Sequence, residues 1–129
     1  MDVTYPLSAS REKVHTATGR PVSDVTLERV VSGEIGSDDV RVSPEVLRLQ
    51  AGFAEQGGNP QLAENLRRGA ELIAFSDDEL LTFYDKLRPG RATPQELESL
   101  AGELESRGAS QCAALIREAA AAYVRRGLI

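Results

Sequence analysis

At Asp39-Val40-Arg41-Val42-Ser43-Pro44-Glu45-Val46-Leu47-Arg48-Leu49-Gln50-Ala51 the chain changes character. The sequence before this stretch is mostly aperiodic, and helical patterns follow one another after it. Ser43 is a good N-cap, and Pro44 suits the first helical position, where its fixed φ fits and no N–H is missed. Glu45 then lies in the first turn, at the positive end of the helix dipole. Val46, Leu49 and Phe53 recur at i, i+3 and i+7 and predict an apolar stripe. This is the first full-length helix, and no chemistry is visible in it.

Working towards the C-terminus, the same devices recur. The helix stops at Gly57-Gly58, and Asn59-Pro60 opens another that runs to about Ala74, with Leu62, Leu66, Ala70 and Ile73 on one face. Ser76-Asp77-Asp78-Glu79 is a capping box ahead of Leu80, Phe83, Tyr84 and Leu87. Thr93-Pro94-Gln95-Glu96 is a second, followed by Leu97, Leu100, Ala101 and Leu104. Gly108 precedes a last helix whose inner stripe reads Cys112, Leu115, Ile116, Ala119, Tyr123 and Val124, with Leu115 and Ile116 innermost. Working towards the N-terminus, Ser23 to Gly33 reads as a short helix capped by Ser23 or Asp24, with Leu27, Val30 and Val31 facing inward. The connectors between helices are short, which favours antiparallel neighbours.

The expected fold is mainly α, a helical domain of about five to six helices over residues 23–129 with an extended arm over residues 1–22. Pro6, Pro21 and the polar residues between them interrupt any period in the arm. Tyr5, Leu7 and Val14 are apolar there with nothing local to pack on, so the arm is expected to be mobile alone and ordered on a partner.

Composition bounds the rest. With 129 residues the chain suits a modest core, and with no Trp, 3 Phe and 3 Tyr that core rests on aliphatic side chains. A net charge of −5 argues against a general nucleic-acid binder, which needs a basic face. No apolar run approaches a membrane span, and the N-terminus is not a signal peptide, so the cytoplasm is the expected location. Cys112 is the one cysteine, so no intramolecular disulfide forms.

No catalytic, cofactor-binding or metal-binding residue emerges. His15 is the one histidine and lies in the arm, where a surface or partner-facing role outweighs a metal site. Cys112 reads as a small buried hydrophobe. Asp38-Asp39 and Asp77-Asp78 fall at helix starts, where dipole complementarity explains them. Arg67-Arg68 lies within helical reach of Glu64 and Glu71, and serves either a solvated ion-paired face or a partner contact. Candidate partner-binding residues are therefore Tyr5, Leu7, Val14, Arg67 and Arg68.

Several segments, in order, carry a resemblance: Tyr5-Pro6-Leu7, Thr16-Ala17-Thr18-Gly19-Arg20-Pro21, Thr26-Leu27-Glu28, Val31-Ser32-Gly33 and the stretch from Asp39 to Ala51. Asn65 to Ile73, Asp77-Asp78, Tyr84-Asp85-Lys86-Leu87-Arg88-Pro89, Ala113 to Ala119 and Tyr123 continue it. Nearly the whole chain thereby resembles the small (gamma) subunit of adenosylcobalamin-dependent diol and glycerol dehydratases. The resemblance implies a non-catalytic subunit of a hydro-lyase that turns 1,2-diols or glycerol into aldehydes and water by radical chemistry. It implies large (alpha) and medium (beta) partner subunits in a dimer of heterotrimers, with adenosylcobalamin held by those two and not by this chain. It also admits residence inside a bacterial microcompartment, although relatives of that kind can carry an extension ahead of Tyr5-Pro6-Leu7. The alternative is a helical adaptor of the same fold that binds a reactivation factor or a shell component.

Overall fold

The structure, a computed structural model, describes residues 3–129. Among them are six α-helices: α1 (Leu27–Val31), α2 (Pro44–Gln56), α3 (Pro60–Leu72), α4 (Asp77–Leu87), α5 (Pro94–Ser106) and α6 (Ser110–Arg125). Two 3-10 turns, Leu7–Ser10 and Val22–Asp24, and one β-bridge between His15 and Pro21 complete the pattern. The mainly helical fold and the five full-length helices after Ser43 are as the sequence predicts.

The caps explain where the helices start. The Ser43 side chain accepts the Val46 N–H, and Pro44 occupies the first turn of α2. Ser76 and Thr93 each close a reciprocal capping box, with Glu79 and Glu96 reaching back to the cap N–H. Asn59 accepts the Leu62 N–H at 3.1 Å and starts α3. Glycines explain two of the ends. Gly58 (φ 83°) and Gly108 (φ 84°) sit in the left-handed region that side chains disfavour. There the Asn59 and Ala109 N–H groups donate back to Ala54 and Leu104 at 2.8 and 2.9 Å, each closing a Schellman motif.

The chain forms two compact units, one up to Ala70 and one from Glu71 to Ile129, divided within α3. The second unit carries the larger core. Leu97, Leu100 and Leu104 from α5 are almost fully buried, among Phe75, Phe83, Cys112, Ala113 and Ile116. Phe75 and Phe83 meet edge to face with centroids 5.2 Å apart. Arg107 lies over the Phe75 ring at 4.1 Å, donates to the Ala74 carbonyl at 3.2 Å and pairs with Glu79. Outside this core, Arg117 of α6 ties itself to Glu98 and Glu105 of α5 at 3.0 and 2.6 Å. The stripe of α6 is rotated from the expected one. Ile116 is 3% exposed, whereas Leu115 is 42% exposed and Val124 faces outward too. Leu115 therefore is not a core residue; Ala113, one turn before Ile116, takes the inner position instead. Tyr84 on α4, Leu62 on α3 and Ile73 just after it are likewise exposed.

In the first unit, buried apolar residues are Val14, Ile35, Ala51, Ala63 and Ala70. Residues 3–22 are not extended throughout: Leu7–Ser10 turns once, and the chain then doubles back so that the Val22 N–H donates to the Val14 carbonyl at 2.7 Å. Val14 is 3% exposed, so it does find a local place to pack. The helix α1 is shorter than expected and is capped by Thr26, not by Ser23 or Asp24, whose residues lie in the 3-10 turn before it. Its three apolar residues point out: Leu27 and Val31 are each 78% exposed, and Val30 is exposed as well.

Candidate partner-binding surface

The first unit gathers the sequence-predicted contact residues unevenly. Tyr5 is exposed and stands edge to face on Phe53 of α2, ring centroids 5.5 Å apart. The two rings open a cleft of about 400 Å³ lined also by Gln50, Leu62 and Leu66. Leu7 is half-buried in its 3-10 turn. Val14 is buried by its own unit, so it fixes the N-terminal segment and offers no outward contact. Arg67 does not rely on a neighbour along its helix; it reaches Glu55 of α2 at 2.5 Å. Arg68 bonds Asn65 and lies 4.0 Å from Glu64, the i, i+4 pair expected. Glu71 serves elsewhere, accepting the backbone N–H groups of Gln111 and Cys112.

A polar clasp holds the N-terminal segment. The His15 N–H donates to Glu45 at 3.1 Å, and its ring Nδ1 lies 3.4 Å from the other carboxylate oxygen. Buried Asp39 accepts from the Thr18 hydroxyl and from the Gly36 N–H at 2.9 Å, with Arg20 Nε at 3.4 Å. The Thr18 hydroxyl first, then the Gly36 N–H, hold the Asp39 carboxyl below its ordinary value, more than offsetting its desolvation. The pair Asp38-Asp39 is thus split: Asp39 braces a loop, and Asp38 pairs at the surface with Arg41 at 3.4 Å.

Beside the clasp runs a second open cleft of about 330 Å³, lined by Val22, Val25, Val40, Val42 and Val46 with His15 and Arg41. The sequence reading missed this apolar surface. Its one signal was the alternation Val40-Arg41-Val42, two exposed valines flanking an arginine ahead of the first full helix cap. Among the described residues no group of three or more His, Cys, Asp or Glu is placed to hold a metal ion. No helix among the described residues is long and apolar enough to cross a membrane.

Comparison with known proteins decides the family. The family described as dehydratase small subunit matches residues 1–129. The chain belongs to that family. It is 48% identical over 124 residues to the propanediol dehydratase small subunit of Citrobacter freundii, covering 95% of this chain and 72% of the relative. The propanediol dehydratase small subunit of Salmonella typhimurium matches with the same identity and coverage. As a dehydratase small subunit, the chain is one member of an enzyme complex and works with other subunits. The reading as a free-standing adaptor is not favoured.

Proposed function

We propose that this chain is the non-catalytic small subunit of a diol dehydratase that converts propanediol or glycerol to an aldehyde and water. The observation that carries this reading is the 48% identity to propanediol dehydratase small subunits over 95% of the chain. Its role is to cover and stabilise the large catalytic subunit. The complex is a dimer of heterotrimers of large, medium and small subunits, in the cytoplasm or inside a microcompartment.

In this reading adenosylcobalamin supplies the radical chemistry and is held by the large and medium subunits. Neither cleft described above is built to take a corrin ring. Both are open and of about 330 and 400 Å³, at the small end of ligand sites, and the His15 ring Nδ1 lies 3.4 Å from Glu45. Tyr5, Leu7, Arg67 and Arg68 contribute to the contact with the large subunit, and Val14 supports that contact from beneath.

Co-expression with the large and medium subunits tests the reading. The three chains are expected to purify together, and only the mixture is expected to form aldehyde with adenosylcobalamin. Aldehyde formation by this chain alone, or a large and medium pair that ignores it, would overturn the proposal.

A further inference from the structure

A short helix that turns its apolar face to solvent needs a covering surface. In α1 the residues Leu27, Val30 and Val31 lie at i, i+3 and i+4, one face, and none of the helix is buried. Five residues do not sustain a helix by themselves; the packed apolar face normally supplies that stability. Here the helix is held instead from its polar side. Thr26 caps it, the Ile35 N–H donates to the Arg29 carbonyl at 3.0 Å, and Arg29 pairs with Asp24 and Glu34 at 3.3 and 3.7 Å.

The valine cleft is built from residues on either side of α1 in the chain. Arg20 joins Glu34, just beyond α1, to Asp39, just before Val40, at 3.4 Å each. Val25, which precedes the α1 cap, lines the same cleft as Val40 and Val42, both of them exposed. Five exposed aliphatic side chains thus fall within residues 27–42. Isolated exposed aliphatics are ordinary on soluble proteins; a concentration of them with a pre-braced backbone marks a contact surface.

The charges say what kind of surface covers it. Residues 20–42 carry three arginines and five acids, and each arginine is already paired within the segment, Arg41 with Asp38. With acids outnumbering arginines, the segment's negative charge disfavours a phosphate-bearing ligand or an anionic membrane. A second copy of this chain would set one net-negative segment against another, on molecules of net charge −5. A different protein with an apolar face carries neither penalty.

We propose that Leu27, Val30, Val31, Val40 and Val42 form the apolar centre of the contact with the large dehydratase subunit. This rests on the reading of the chain as the small subunit that covers the large one, and adds α1 and the loop after it to the contact assigned to Tyr5, Leu7, Arg67 and Arg68.

The test compares the wild-type chain, L27D/V31D and the control L81D, an exposed apolar site on α4, each co-expressed with tagged large and medium subunits. Both substituted sites are solvent-exposed, so the lone variants are expected to melt like wild type. Retention of L27D/V31D is expected to fall at least tenfold, with L81D retained as wild type. Hydrogen exchange of the wild-type chain gives an independent measure, with the Val30 and Val31 amides expected to slow at least tenfold in the complex. Retention of L27D/V31D equal to wild type, or equal loss for L81D, overturns the inference while leaving the subunit reading standing. Unchanged exchange at α1 in the complex overturns it even where the variant misfolds. A lone wild-type chain that sediments as a dimer, and becomes monomeric on L27D/V31D substitution, assigns the face to a second copy and also overturns it. Wild-type chain that is not retained at all sinks the subunit reading and this inference with it.

Discussion

The Glu71 carboxylate accepts the Cys112 N–H at 2.9 Å and the Gln111 N–H at 3.0 Å, so α6 is capped by a side chain forty residues upstream. The reason is local. Ala109 stands where the N-cap of α6 belongs, fully buried, because it also closes the Schellman motif that ends α5. A polar side chain has no room to serve there, and Glu71 supplies the missing acceptor while facing the helix dipole. Replacing Glu71 by Ala is expected to cost about 0.5–2 kcal/mol, the range for loss of a cap, with Glu71→Gln between the two. Urea unfolding measures it; a midpoint unchanged in Glu71→Ala would show that water caps the helix equally well.

The neighbours Leu115 and Ile116 separate by environment. Ile116→Ala removes a buried side chain from the core of the second unit and is expected to cost about 2–5 kcal/mol. Leu115→Ala, on the outward side, is expected to stay within roughly 0.5 kcal/mol. Thermal melting of the two variants decides it, and the reverse order would place the wrong face of α6 inward.

Acid is expected to weaken both units. Glu79 is held below its ordinary value first by Arg107 and then by the Ser76 N–H, and Asp39 by Thr18 and Gly36. A carboxyl with a lower pKa when folded releases its proton more readily in the native state. The stability it adds is fully present above the unfolded value of about 4 and is lost as the pH falls through the folded one. The urea midpoint is therefore expected to drop below about pH 4, with a shallower drop in Glu79→Gln. An identical slope in the variant would assign the acid sensitivity to other carboxylates.

The N-terminal segment is expected to be ordered in the lone chain. The Thr16 and Val22 amides donate to Arg20 and Val14, each at 2.7 Å, and should exchange slowly. Val14→Ala removes two buried methyl groups, about 1.6 kcal/mol at roughly 0.8 each, and deleting residues 1–21 should lower the melting point further. Free-chain exchange at the unprotected rate, or a truncated chain that melts unchanged, would return the segment to the mobile arm suggested by its aperiodic sequence.

The helix starts were legible because a cap is a local event: Ser43, Ser76 and Thr93 satisfy amides within three or four residues of themselves. Whether a stripe is covered is not local. Leu27, Val30 and Val31 read as an inner face by spacing alone, yet spacing cannot show that no element among the described residues lies over them. Leu115 and Ile116 are adjacent on a helix, about 100° apart, so both fit the edge of one stripe until the packing of α5 chooses between them. The partner of Glu71 was hidden for the same reason, since nothing near it in sequence lacks a cap. Val14 was misjudged because a buried residue in an aperiodic segment depends on turns and clasps, such as Thr18 on Asp39, that leave no period behind.

Asp39 carries a consequence for anyone who maps the assembly by substitution. Its carboxylate gathers Thr18, Arg20 and Gly36 next in the chain to the exposed Val40, while itself only 8% exposed at the wall of the valine cleft. Removing it would let the loop sag and withdraw the valines, and binding would fall as steeply as if a hot spot had been cut. An alanine scan would then score Asp39 among the contacts, although it is a tent peg and not part of the canvas.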